Sequence, residues 1–381
     1  MSTDPVADAV AALRLVDHHV HGALRAQPSA DEFALLLTES DRLGPENTST
    51  WDSQVGFAVR RWCAPLLGLP AFCAPQDYLA RRRELGADAV NRTLLVASGI
   101  DHFVLETGFR AEAIHGVDGM RALSGVRVDE VVRLESLAED LARAGVAASD
   151  FRTRFRECLS DATRSAVGLK SVVAYRFGLD FEPQPPSEVE VIDAAGAWLA
   201  EVASSGVARL THPTLLRELI WAGIERELPI QFHVGYGDPD LDLRRCDPLH
   251  MTDFLKLVRG RHVPIMLLHT YPFHRNAGYL AQVFPDVYFD VGLGINYTGA
   301  RSAAVIRESL ELGPFGKVLF SSDAWGLAEL HYLGARLWRT GMTKALTSFV
   351  AAGEWSATDA IRVADMMGAA NARRVYGLSD S

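Results

Sequence analysis

Short apolar segments rich in β-branched residues recur along the chain, and each is followed by a longer stretch with helical spacing of its apolar positions. Eight such segments stand out: Leu15–Val20, His102–Thr107, Val128–Glu135, Ala166–Ala174, Pro229–Val234, Pro264–His269, Val287–Val291 and Lys317–Asp323. Their cores carry few polar residues, as strands do when a parallel sheet is covered on both faces. Helical spacing is predicted over 136–163, with a break near Gly145, and over 187–205, 212–227, 249–259, 343–352 and 356–375. Eight strands alternating with helices predict an α/β fold, a closed (β/α)8 TIM-type barrel.

One connection is too long for that plan. Between the first two strands, residues 23–91 contain three helical patterns, near 30–42, 53–62 and 76–90, with Trp51, Trp62, Pro65, Pro70 and Pro75 among them. A connection of this length implies a helical insertion. Because it follows a barrel strand, it is expected over the C-terminal face as a lid, within a single domain spanning 1–381.

The polar exceptions to the pattern carry the chemistry. The first strand ends Asp17-His18-His19-Val20-His21, where alternation along a strand turns His19 and His21 the same way. Two imidazoles converging at a strand end can hold one divalent cation, and Asp17 is placed to orient one of the rings. Further ligand-type residues fall at the ends of other strands: Lys170, His233, His269 and Asp323. Strand ends of a barrel meet on one face, where active sites lie. Three or four nitrogen and oxygen ligands with an open position suit a catalytic divalent metal, Zn²⁺ first and Mn²⁺ second.

Around that centre, Arg176 is placed to clamp a substrate carboxylate, with Arg133 as a second cation at the barrel mouth. Arg133 and Glu135 are read as alternate residues of strand three, facing the mouth or pairing with each other. Tyr271 and His274 follow strand six closely enough to reach a substrate. Gly292-Leu293-Gly294 fits no nucleotide-binding pattern and reads as a turn.

Composition narrows the function classes. With 48% hydrophobic and 23% charged residues, the chain is ordinary for a globular protein. A net charge of −10 favours neither nucleic acid nor an anionic membrane surface. Four cysteines without Cys-x-x-Cys spacing predict free thiols rather than a disulfide framework. The start of the chain lacks the basic and apolar pattern of a signal peptide, and no apolar run is long enough to span a membrane. A cytoplasmic enzyme with a small-molecule substrate is expected, and the oligomeric state stays open.

Asp17-x-His19-x-His21, a histidine on each of strands five and six, and an aspartate on strand eight resemble the amidohydrolase superfamily. Gly168-Leu169-Lys170-Ser171, Ala174-Tyr175-Arg176, His269-Thr270-Tyr271-Pro272-Phe273, and Ser321-Ser322-Asp323-Ala324 with Glu329 resemble its amidohydrolase-2 branch. Within that branch the similarity is to the amidohydrolase domain fused elsewhere to glutamine-synthetase-like domains, a fusion not expected here. The resemblance implies that His19, His21, His233 and Asp323 hold the principal metal. It implies that His269 binds a second metal or polarises the substrate carbonyl. Lys170 is implied either as a carbamylated bridge between two metals or as an anion-binding cation. Asp323 is the expected general base. The expected reaction is hydrolysis of a C–N bond in a small, carboxylate-bearing substrate. Metal-dependent decarboxylation on the same barrel and a non-catalytic metal-binding scaffold are the alternatives.

Overall fold

The computed structural model describes residues 4–379. Seven parallel strands pair in sequence order: β1 (Leu15–Val20), β2 (Ile100–Glu106), β3 (Arg127–Arg133), β4 (Gly168–Ser171), β5 (Ile230–His233), β6 (Ile265–Leu268) and β7 (Val287–Phe289). The expected eighth strand occupies its place without a regular ladder. Phe289 bridges Val318, and Leu319 N–H donates to Phe289 O at 3.0 Å on one side. On the other side His18 N–H donates to Phe320 O at 3.2 Å, and Asp323 N–H to His19 O at 3.1 Å. Residues 318–324 therefore close the barrel between β7 and β1.

Two layers of apolar packing hold this barrel. Val16, Val104, Val131, Met266, Leu268 and Leu319 form a cluster with Ala369, Ala372 and Tyr376 of the C-terminal turns. The larger cluster joins the other strand faces to the surrounding helices. Burial on both faces is why the strands read as nearly unbroken apolar runs.

The boundaries differ from expectation where chain-distant packing decides them. The helix Leu134–Arg143 begins directly after β3, so Glu135 lies in its first turn rather than on the strand. The break near Gly145 is present, and the next helix is Phe151–Ala162. The C-terminal helix expected at 343–352 begins much earlier, spanning Ala328–Ala351. Its buried residues Leu330, Leu333, Leu337, Trp338, Met342 and Leu346 follow helical spacing. Within 23–91 the helices are Ala30–Leu35, Gln54–Ala58 and Pro75–Leu85, and Ala87–Ala97 leads on to β2. A buried ion pair fastens this stretch to the long helix. Arg82 Nε donates to Glu329 Oε1 at 2.6 Å, and Tyr78 Oη donates to the same atom at 2.8 Å.

Candidate metal centre

β1 does not alternate strictly near its end. Asp17 pairs with Phe103 and Val20 with Leu105, so three steps on β1 match two on β2, which is a bulge. Asp17 does not orient a histidine. Its carboxylate accepts from the backbone N–H of Ser322 at 3.0 Å and from the Ser322 hydroxyl, tethering the segment that carries Asp323. Burial pushes the Asp17 carboxyl up to about 8.

Asp323 stands among three imidazoles. Its Oδ1 is 3.1 Å from His19 Nε2 and 3.7 Å from His21 Nε2, and its Oδ2 is 3.7 Å from His269 Nε2. Ligand atoms of His19, His21 and Asp323 all lie within 4.8 Å of one another. The rings of His233 and His269 are 4.3 Å apart, which adds the histidine of β5 to the group. Both Asp323 (φ 49°) and His269 (φ 38°) have left-handed backbones. For residues with a side chain such strain costs about 1–3 kcal/mol each, and it concentrates at functional sites.

Two ring tautomers follow from the partners. His21 Nδ1 meets Glu106 O at 3.1 Å and His269 Nδ1 meets Val234 O at 3.0 Å. A carbonyl oxygen only accepts, so each Nδ1 carries the proton and each Nε2 offers a lone pair to the cavity. His269 is thus set up to ligate rather than to donate a hydrogen bond. Burial holds all four rings below their usual range; neighbouring cations and rings push His19 and His233 far below it, while Glu106 and Asp323 beside His21, and Asp323 beside His269, partly oppose the effect. Among the described residues, His19 Nδ1 and His233 Nε2 are buried without a hydrogen-bond partner. Neutral imidazoles, orphaned nitrogens and a central carboxylate fit a divalent cation.

The cavity above this cluster has a volume of about 180 Å³. Lys170, Arg133, Arg176 and Tyr175 line it, as do Glu39 and Asp238. Lys170 is 2% exposed, and burial lowers its ammonium to about 8. The two arginines are not free cations. Arg133 makes a two-pronged contact with Glu106, Nε to Oε1 at 3.1 Å and Nη2 to Oε2 at 2.5 Å. Arg176 Nη2 lies 3.0 Å from Glu139 Oε1. An unpaired cation at the mouth is therefore no argument for a substrate carboxylate, because each of these largely buried guanidinium groups already has a counter-charge. Glu135 pairs with neither, and instead accepts from Ser171 Oγ at 2.7 Å and Val172 N–H at 2.9 Å.

Tyr271 and His274 are not among the lining residues. Their rings stack on each other, and His274 Nε2 is 2.7 Å from Glu308 Oε2. Glu329, part of the family-like pattern, is the buried partner of Arg82. The sequence analysis does not single out Glu106, Glu39 or Asp290, and it names Tyr175 only within the family-like pattern. Glu106 had a visible signal, an acid closing an otherwise apolar strand. Tyr175, in the short helix Val173–Arg176, packs its ring 4.3 Å from that of His233 at the end of β5, a contact that local sequence does not mark.

The sequence and the fold both have counterparts among known proteins. The chain is 27% identical over 374 residues to the fluG protein of Emericella nidulans, covering 94% of this chain and 42% of that protein. It therefore spans less than half the length of that relative. A crystal structure from Lactobacillus casei, attributed to a metal-dependent hydrolase, superposes with a TM-score of 0.85 at 29% identity, over 98% of this chain and 97% of that one. A uronate isomerase from Bacillus halodurans shares the fold, with a TM-score of 0.66 at 15% identity over 99% and 96% of the two chains. The amidohydrolase family profile matches residues 70–378, and the chain belongs to that family.

Proposed function

We propose that this protein is a divalent-metal-dependent hydrolase that cleaves a carbon–nitrogen bond in a small polar substrate. The observation that carries the reading is the Asp323 carboxylate set among the Nε2 atoms of His19, His21 and His269 at the base of a cavity. Those four residues, with His233, would hold the ion. A nitrogen-rich set with one carboxylate suits Zn²⁺ first and Mn²⁺ second. Bound there, such a cation supplies Lewis acidity toward a water and a substrate carbonyl oxygen.

The chain's own residues supply the rest. Asp323 accepts the proton of the attacking water and passes it to the departing nitrogen as the C–N bond breaks. An amine leaves only once protonated, so one carboxylate serves both steps. The neutral rings of His21 and His269 are held by backbone carbonyls and keep their lone pairs on the cavity. Lys170 lines the cavity without a hydrogen bond or ion pair among the described residues, and supplies a positive charge for a substrate oxygen. A second ion would require Lys170 to be converted to a carbamate, since an ammonium has no lone pair. Thr38 to Asp41 of the insertion border a second cavity, which shares Glu39, Asp238 and Asp323 with the first, and this supports assigning the 23–91 stretch a role as a lid.

The test is release of ammonia or amine, measured beside release of CO₂, over a panel of small amides with Zn²⁺ or Mn²⁺ present. Nitrogen release that stops on chelation is the expected result. CO₂ without nitrogen release would replace the hydrolase reading with a carbon–carbon lyase. Tight metal binding with no turnover of any kind would favour a scaffold.

A further inference from the structure

We propose that Asp290 is a positioning residue for His269, an inference that rests on the metal-centre reading above. Asp290 lies directly after β7 and is fully buried. Its Oδ1 accepts from the backbone N–H of His269 at 2.9 Å, from Gly292 N–H at 2.8 Å and from Ser321 Oγ at 2.6 Å. Its backbone carbonyl accepts both N–H and Oγ–H of Thr270, at 3.0 and 2.8 Å. One residue thus grips two consecutive residues past β6, at the point where His269 adopts its left-handed backbone. Such a conformation persists only where the surroundings over-determine it.

The other oxygen of the carboxylate extends the grip beneath the site. Oδ2 lies 3.0 Å from His18 Nε2, and His18 Nδ1 lies 3.1 Å from the Tyr376 hydroxyl. Gln231 Nε2 donates to that hydroxyl and to His18 O, both at 2.8 Å. His18 adjoins His19, Gln231 precedes His233 by two residues, and Ser321 precedes Asp323 by two. The segments carrying His19, His233, His269 and Asp323 therefore meet in one hydrogen-bonded layer, with Asp290 touching His269 directly. A carboxylate suits this place because it only accepts and offers two oxygens. Asparagine at 290 keeps one oxygen for the three donors, while its amide can donate to a His18 ring that turns its own proton to Tyr376.

The experiment compares Asp290→Ala, Asp290→Asn, His269→Ala and the double variant Asp290→Ala/His269→Ala, all prepared free of metal. Cobalt(II) is titrated in and its visible absorption recorded. Asp290→Ala should weaken cobalt binding by at least about tenfold and change the absorption band, as loss of a ligand's supporting partner does. Asp290→Asn should stay close to the unaltered protein. In the His269→Ala background, adding Asp290→Ala should weaken cobalt binding several-fold less than it does in the unaltered protein, because the part of its effect that passes through the ring is gone. Hydrogen exchange of the peptide spanning 269–272 in metal-free protein should be faster in Asp290→Ala and unchanged in Asp290→Asn. Unaltered cobalt affinity and spectrum in Asp290→Ala, or full additivity with His269→Ala, would overturn the proposal. Failure of the unaltered protein to bind cobalt would sink the metal-centre reading instead. The exchange measurement, which needs no metal, would then decide the role of Asp290, and unchanged exchange would reject it. Should Asp290→Ala fail to fold, Gly292→Ala takes its place, since its Cβ would collide with Ser321 Oγ, which donates to Asp290, and stand 2.8 Å from Asp290 Oδ1 and 3.2 Å from His269 Cβ. It should show the same cobalt and exchange changes, and normal behaviour in it would overturn the proposal.

Discussion

Asp323 Oδ1 stands 3.1 Å from His19 Nε2, although 304 positions separate the two residues in the chain. Hydrogen bonds to β1 and the tether from Asp17 to Ser322 bring them together. On the proposed reading, this closeness would make Asp323 both a ligand and the best-placed base for a water. Asp323→Asn should lower kcat by about 10²–10⁴-fold and leave KM within a few-fold. Steady-state kinetics with metal analysis of the same sample checks it, and near-normal kcat would assign the proton transfer to another group.

Metal should stabilise the protein as well as activate it. A cation that binds only the folded chain raises stability by about 2.7 kcal/mol at a hundred times its Kd. Chelation should therefore lower Tm, and added Zn²⁺ should restore it. His19→Ala and His233→Ala should lose metal content and activity in parallel. A Tm indifferent to chelation, with no metal found in the purified protein, would contradict the site.

Gly237 makes room for a tyrosine. A Cβ at this position would collide with the Tyr175 hydroxyl, whose ring packs on His233. Gly237→Ala should push Tyr175 from that ring and reduce metal affinity. Adding Tyr175→Phe, which removes the colliding oxygen, should restore part of it. A Gly237→Ala protein with normal metal titration would show that the ring contact does not matter.

Glu39 should mark the pH dependence of the metal-free protein. Burial raises its carboxyl to about 7, opposed by a hydrogen bond with Tyr297. A carboxyl whose folded pKa lies above its unfolded value favours folding below the unfolded pKa. That contribution is lost as pH rises through the folded one. Between pH 4.5 and 7, then, ionisation of Glu39 should progressively destabilise the fold. The Tm difference between Glu39→Gln and the unaltered protein should grow in favour of the variant across this window. Calorimetry on both proteins measures it, and a difference that stays flat with pH would refute the assignment.

The pair Arg82 and Glu329 should be costly to break from one side. Both side chains are buried, at 1% and 0% exposure. Arg82→Met leaves an uncompensated carboxylate and should destabilise by about 3–5 kcal/mol. Arg82→Met with Glu329→Leu removes both charges and should recover much of that loss. Denaturant unfolding of the three proteins decides between this and a pair of no energetic weight.

The alternation of apolar strands with helices was legible because burial on both faces leaves its mark on every strand in turn. His19, His21, His233, His269 and Asp323 were legible for a related reason. A polar residue closing an apolar run stands out, and barrel geometry gathers such ends on one face. Local sequence says nothing of partners hundreds of positions away. Asp17 meets Ser322 across 305 positions and Arg82 meets Glu329 across 247. The pairing of Arg133 with Glu106 and of Arg176 with Glu139 is of the same kind, and it gives two cations expected at the substrate their own internal counter-charges. The early start of the helix Ala328–Ala351 and the irregular closing segment at 318–324 were likewise decided by what packs against them. Residue chemistry and periodicity are properties of a stretch of chain, whereas counter-charges, tautomers and left-handed turns depend on which atoms the closed barrel brings into contact.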